Sequence, residues 1–129
     1  MTTPRSEVKA ALDRLNGFMS QADPAIIAQF DPDADVLLAG SEIGEVVRGH
    51  TDIGAFFRAI FALPLRIGWH WDTIDAAAEG DVIWFFAEGQ AVVTRDGVTD
   101  ARPYRLSGVL VRRGITVIWR QFHGSEPRP

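Results

Sequence analysis

The chain has no cysteine, and that absence removes disulfides, thiolate nucleophiles and cysteine-ligated zinc together. Tyrosine occurs once, as Tyr104, and histidine three times, as His50, His70 and His123, so phenol and imidazole chemistry have few possible carriers. No apolar run approaches the ~20 residues of a membrane-crossing helix, and Met1-Thr2-Thr3-Pro4-Arg5 lacks a signal-like apolar stretch. A basic surface is missing as well: 13 Lys and Arg against 17 Asp and Glu give a formal charge of −4 and a pI near 5.3. The late arginines Arg95, Arg102, Arg105, Arg112, Arg113 and Arg120 are spread over several segments without a basic helix, which reads as solvated strand faces and rims. Neither nucleic acid nor a membrane is therefore expected as a partner, and the expected location is the cytoplasm. Glycine-rich phosphate loops, nucleophile elbows and Walker patterns are also absent. With no third ligand at metal spacing either, no cofactor and no metal are expected.

What is present is enough apolar material for one core, 47% of 129 residues, which suits a single domain over 1–129. Thr3-Pro4 is a helix start, because proline at the first helical position loses a donor that had no partner. Val8, Ala11, Leu12, Leu15, Phe18 and Met19 then follow helical spacing. Asp23-Pro24 repeats the signal for a short second helix that Pro32 stops. Asp35 to Gly40 and Glu45 to Gly49 read as short strands joined around Gly44. A third helix, capped by His50 or Thr51, places Ile53, Phe56, Phe57, Ile60 and Phe61 on one face and ends at Pro64.

After Pro64 the period changes from helical to two. Leu65 to Ala78, Val82 to Thr94, Ala101 to Arg112 and Ile115 to His123 are separated by Glu79-Gly80-Asp81, Asp96-Gly97 and Arg113-Gly114, the pattern of an antiparallel meander. Interior glycines Gly68, Gly89 and Gly108 mark places where long strands bend. In the second strand Val82, Trp84 and Phe86 point one way and Ile83, Phe85 and Ala87 the other. Helices can cover one of these faces; a second copy of the chain, packed through the outer sheet face, is the expected cover of the other. Phe56, Phe57, Ile60, Phe85 and Leu110 are the expected core.

The order of these segments resembles the cone-shaped α+β fold of the NTF2-like (nuclear transport factor 2-like, cystatin-like) superfamily, which includes ketosteroid isomerases and SnoaL-like polyketide cyclases. The residues that carry the resemblance are Asp35-Val36-Leu37-Leu38-Ala39-Gly40-Ser41, Gly49-His50-Thr51-Asp52-Ile53-Gly54-Ala55-Phe56-Phe57, Tyr104 to Arg112, and the ending Phe122-His123-Gly124-Ser125-Glu126-Pro127. That ending is similar to the His-x-Ser tail of SnoaL-like proteins and of the kinase association domain. The resemblance implies N-terminal helices packed on a strongly curved, mainly antiparallel sheet around a pocket for an apolar or aromatic small molecule. It implies no single function, because the fold hosts isomerases, cyclases, dehydratases, transport adaptors and oligomerisation modules. The chain departs from the ketosteroid isomerase pattern in carrying its tyrosine in the strand region rather than among the helices. It departs from the kinase association domain in having Gly108 where that domain places a pocket arginine.

Three residues are candidates for proton chemistry. His123 shares a strand face, by simple alternation, with Trp119 and Gln121, and could exchange protons near neutral pH or merely bond the backbone beside Ser125. Glu88 lies on the face of Trp84 and Phe86, where desolvation would favour a general acid or base; pairing with Arg105 or Arg120 is the alternative. Tyr104 is a hydrogen-bond donor. Trp69 and Trp71 share one face and could wall a ligand or fill the core. His70 and Asp72 lie on the other, which reads as an exposed polar face. The expected ligand wall is thus Trp69, Trp71, Trp84, Phe86, Trp119 and Gln121, and the expected catalytic set Glu88, His123 and Tyr104, supporting cofactor-free acid/base chemistry or, alternatively, a non-catalytic binding or oligomerisation module.

Overall fold

A computed structural model describes residues 2–33 and 35–128. Helix α1 (Pro4–Gln21) starts at a reciprocal cap: the Ser6 amide donates to Thr3 Oγ1 at 3.1 Å and the Thr3 amide to Ser6 Oγ at 3.0 Å. Its buried stripe is Val8, Ala11, Leu12, Leu15 and Met19, the spacing that turns one helix face inward. The second helix is a 3₁₀ helix, Pro24–Gln29, begun by Asp23, whose carboxylate accepts from the Ala25 amide. Strands β1 (Leu37–Ala39) and β2 (Val46–Arg48) precede helix α2 (His50–Phe61). Neither His50 nor Thr51 caps α2. Gly49 occupies that position, and His50 Nε2 instead lies 3.1 Å from the Ile27 carbonyl oxygen, tying α2 to the 3₁₀ helix.

Four long strands follow, β3 (Arg66–Glu79), β4 (Val82–Arg95), β5 (Val98–Arg113) and β6 (Thr116–Ser125). Asp96 and Gly97 both take positive φ, 51° and 76°, as the tightest β4–β5 hairpin turn requires. The sheet order is β2-β1-β6-β5-β4-β3, antiparallel throughout except where β1 runs parallel to β6. The result is the expected α+β architecture, with helices on a curled, unclosed sheet. No helix among the described residues is long and apolar enough to cross a membrane.

Two bulges change which way side chains point. In β3 the pairing slips between Trp71 and Thr73, opposite Gly89 and Glu88. Gly89 lies so close to the His70 carbonyl that a β-carbon there would collide with it. In β6 Val109 pairs with Gln121 but Leu110 with Trp119, leaving Arg120 as the extra residue. An extra residue inverts the alternation beyond it. The simple period-two reading of β6 is thereby corrected: Trp119 is buried, whereas Gln121 and His123 are exposed on the opposite face and Phe122 and Gly124 turn inward.

The core lies between the helices and the concave face. Trp119, 1% exposed, stacks on Phe30 at 6.1 Å and meets Phe85 edge-on at 5.6 Å. Phe57, Phe85 and Leu110 are buried as expected, while Phe56 and Ile60 are half-buried. The arginines are not all on solvated faces. Arg112 grips Glu7 of α1 through two bonds of 3.0 and 2.8 Å and donates to the Gly80 carbonyl. Buried Asp31 receives Arg113 at 3.0 Å and Arg120, the bulge residue, at 3.4 Å. These pairs pin the helical layer to the β5–β6 end of the sheet.

Candidate functional site

A cavity of about 180 Å³ opens between α2, the end of α1 and the concave face of the sheet. Helix α2 supplies Phe56, Phe57 and Ile60; β3 gives Ile67 and Trp69, β4 Ala91 and Val93, and β6 Phe122. Period two explains the strand contributions, since each is every second residue on the inward side. Trp69 is fixed by Asn16 of α1, whose side-chain amide donates to the Trp69 carbonyl and accepts from the Trp69 N–H, both at 2.9 Å. Those bonds satisfy backbone groups of an edge strand that has no further neighbour.

Tyr104 of β5 stands at the polar end of this space. It is 6% exposed and packed among Trp69, Trp71 and the β6 backbone, with both indole centroids 6.2 Å from its ring. The close approach to β6 depends on Gly124, where any side chain would collide with the phenol oxygen. Burial first, and then the carboxylates of Glu45 and Glu126, push the phenol pKa above its ordinary value; the Trp69 side chain opposes the shift. The phenol therefore stays protonated, and its own proton finds no acceptor among the described residues.

Three carboxylates rim the cavity: Glu42 and Glu45 from the β1–β2 loop, and Glu126, one residue past β6. The loop holds Glu45 in place. Its Oε1 accepts from the Glu42 amide at 3.0 Å, its backbone accepts from Gly40, and a side chain at Gly40 would overlap the carboxylate. Sequence reasoning missed Glu45 and Glu126. The available signal was the tail motif itself, whose Glu126 adjoins Ser125, and the placement of Glu45 at the start of a short strand.

The nine residues singled out from the sequence divide between the two faces. Tyr104 and Trp69 line the cavity; Trp71 backs them, stacked on Trp69 at 6.4 Å. Trp119 is core and does not reach the cavity. Trp84, Phe86 and Glu88 do share a face, but it is the convex one, because Ile83, Phe85 and Ala87 are the residues that turn inward. Glu88 there is half exposed and lies 3.5 Å from Arg105. Gln121 and His123 are on that same convex face through the β6 bulge. Neither Glu88 nor His123 is in reach of the cavity, so their placement in a pocket is corrected. His70 and Asp72 form an exposed pair at 3.3 Å.

A profile of the SnoaL-like domain matches residues 8–128. No curated protein matches the chain in sequence. Among solved structures, the chain is similar to a candidate dehydratase of the NTF2-like family from Streptomyces avermitilis, at TM-score 0.84 and 14% identity over 97% of this chain and 96% of that one. It is similar also to a nuclear transport factor 2-like superfamily protein from Salmonella enterica, at TM-score 0.81 and 16% identity, covering 98% and 92%. A third similar structure is an NTF2-like protein of unknown function from Pseudomonas putida, at TM-score 0.78 and 15% identity, covering 97% and 87%. At such identities the structural likeness establishes the fold alone. With an NTF2-like fold of helices on a curled six-stranded sheet and a family match that spans nearly every residue, the chain belongs to the SnoaL-like domain family.

Proposed function

We propose that the chain binds one compact, mostly apolar molecule in the concave cavity and moves a proton on it, with Tyr104 as hydrogen-bond donor to a ligand oxygen and Glu45 or Glu126 as proton acceptor. The observation that carries this reading is the convergence of one protonated phenol and carboxylates at one end of a space otherwise lined by Phe56, Phe57, Ile60, Trp69 and Phe122. An incidental cavity in an oligomerisation module would need no such convergence. Size limits the ligand: an apolar cavity of about 150 Å³ holds a benzene-sized molecule, so about 180 Å³ suits a ring with a small substituent. A donor aimed at a developing oxyanion, paired with a nearby base, is the arrangement for proton abstraction beside a carbonyl or for loss of water. The Streptomyces relative described as a candidate dehydratase is consistent with that class. The test compares 1-indanone with indane, its oxygen-free counterpart, by tryptophan fluorescence titration. Indanone is expected to bind more tightly, and Tyr104→Phe to weaken it by ~3- to 10-fold, the value of one hydrogen bond, without affecting indane. Equal affinity of the two compounds, or indifference to Tyr104→Phe, would remove the reading.

The convex face supports a proposal of its own, a homodimer. Trp84 is 46% and Phe86 40% exposed, side by side with half-buried Val109 and Ile118, an apolar strip that a lone sheet face leaves in water. Asp75 and Glu79 lie on the β3 side of the strip and Arg48 on the β2 side. A twofold axis along the strands would set acidic edge over basic edge. Light scattering at micromolar concentration should give twice the 14.2 kDa chain mass, and Trp84→Glu should give the monomer. A monomeric parent protein would overturn the pairing.

A further inference from the structure

The electrostatics of the cavity reach further than its shape. Its lining contains three carboxylates, Glu42, Glu45 and Glu126, and no Lys, Arg or His. None of the three carboxylates has a cationic partner within ion-pair distance among the described residues, although five other carboxylates, Asp13, Asp100, Glu88, Glu7 and Asp31, do. Glu45 uses one oxygen on the Glu42 amide, and the other has no hydrogen bond among the described residues. Arg95, Arg102 and Arg128 belong to adjoining outer grooves that share Glu42 and Glu126, and Arg102 is held by Asp100 at 3.1 Å. Beside the carboxylates, Tyr104 is more than nine-tenths buried, turned into the cavity with its hydroxyl proton unaccepted. Behind it stand the faces and edges of Trp69, Phe56 and Phe122.

A negative rim in front of an aromatic wall discriminates by charge. An anionic ligand would meet three like charges and no cation in the lining, only neutral donors such as the Tyr104 phenol and the Ser41 hydroxyl. A neutral ligand would leave the carboxylates as they are in the free protein. A cation gains both from the carboxylates and from the ring faces. A bare metal ion is the wrong cation, since among the described residues no group of three His, Asp or Glu side chains can hold one. We infer that the ligand of this cavity is an organic cation, a compact oxygen-bearing aromatic or alicyclic amine whose ring fills the apolar end, whose oxygen accepts from Tyr104 and whose ammonium sits between Glu45 and Glu126. This rests on the cavity being the binding site and names the class of molecule it takes.

Three probes share a ring and differ in charge: benzylammonium, benzyl alcohol and phenylacetate. In calorimetric titrations at low salt, benzylammonium is expected to bind about tenfold or more tighter than benzyl alcohol, the combined scale of a partly screened ion pair and a cation–π contact. Phenylacetate is expected to bind weakest. The ion-pair share of the preference should be lost on raising salt from ~20 mM to ~500 mM, which shortens the screening length several-fold and leaves the smaller cation–π share. The same share should be lost in Glu45→Gln/Glu126→Gln, with an unchanged near-ultraviolet circular dichroism spectrum as the check that the variant keeps its fold. Benzyl alcohol binding as tightly as benzylammonium at low salt would overturn the inference while leaving the cavity reading intact. Failure of all three probes and of 1-indanone to bind would overturn both.

Discussion

The two faces of one sheet carry almost the same kinds of residue and do opposite things with them. On β4, Phe85 points into the core and Phe86, its neighbour, into solvent. The concave face joins a buried tyrosine to unpaired carboxylates around a cavity, whereas the convex face joins a carboxylate to an arginine beside exposed aromatics. Composition does not separate them. What separates them is burial and the company of the charged group: a phenol with no acceptor in a desolvated niche invites a ligand, while a half-exposed ion pair contributes little. An aromatic-plus-carboxylate pattern on a strand is therefore a signal of two possible things, and only the covering layer decides which.

Truncating the two neighbouring phenylalanines should separate the two faces by the largest margin. Phe85→Ala should cost ~3–5 kcal/mol of folding stability by leaving a cavity under Trp119. Phe86→Ala should cost less than ~1 kcal/mol in the protomer and show instead as weakened self-association. Chemical denaturation at low concentration reads the first and light scattering the second. Comparable protomer losses would mean that the convex face is no more exposed than the concave one.

A smaller effect is expected at the glycines. Gly124→Ala forces the Tyr104 ring to shift, at ~1–3 kcal/mol, and should weaken 1-indanone along with stability. Gly68→Ala meets nothing closer than Asn16 at 3.5 Å and should be near neutral in both.

Much of this division was legible in the sequence. The turns at Gly80, Gly97 and Gly114 divide β3 to β6 where the sequence divides them, and the two-sided apolarity of β4 called for covers on both faces. Tyr104 was legible as a donor because it has no competitor of its type. The assignment of Glu88 failed because alternation says which residues share a face but not which face the helices cover. The assignment of His123 failed for a different reason: Arg120 bulges out to reach Asp31, an ion pair formed across 89 residues of chain (31 to 120), and local pattern holds no trace of it. Glu45 and Glu126 were missed because loop residues far apart in sequence carry no period; only the closure of β1 against β6 brings them together.

The lone tyrosine makes the electrostatics of the concave face directly readable. Its phenol is raised above the ordinary value of 10.0 by burial and then by Glu45 and Glu126, so the folded state holds this proton more tightly than the unfolded state. The stability it contributes is fully present below the ordinary phenol value and is lost as pH rises from there toward the folded value. Near-ultraviolet phenolate absorbance should accordingly appear together with unfolding, not before it. Phenolate formation near the ordinary value in the intact fold would show the niche to be solvated.

The smallest effect belongs to the clamp between layers. The Arg112 guanidinium holds the Glu7 carboxyl below its ordinary 4.5, so the pair stabilises above that value and the contribution is lost as pH falls through the folded one. Glu7→Gln should lower the melting temperature at neutral pH, less than Phe85→Ala does, and the deficit should shrink in acid. A deficit that is constant with pH would assign it to packing alone.

Which face meets the ligand is reported residue by residue by intermolecular nuclear Overhauser effects from bound 1-indanone. Contacts to the ring protons of Tyr104, Trp69 and Phe56, with none to Trp84 or Phe86, are the predicted result; contacts to Trp84 and Phe86 without Tyr104 would contradict it.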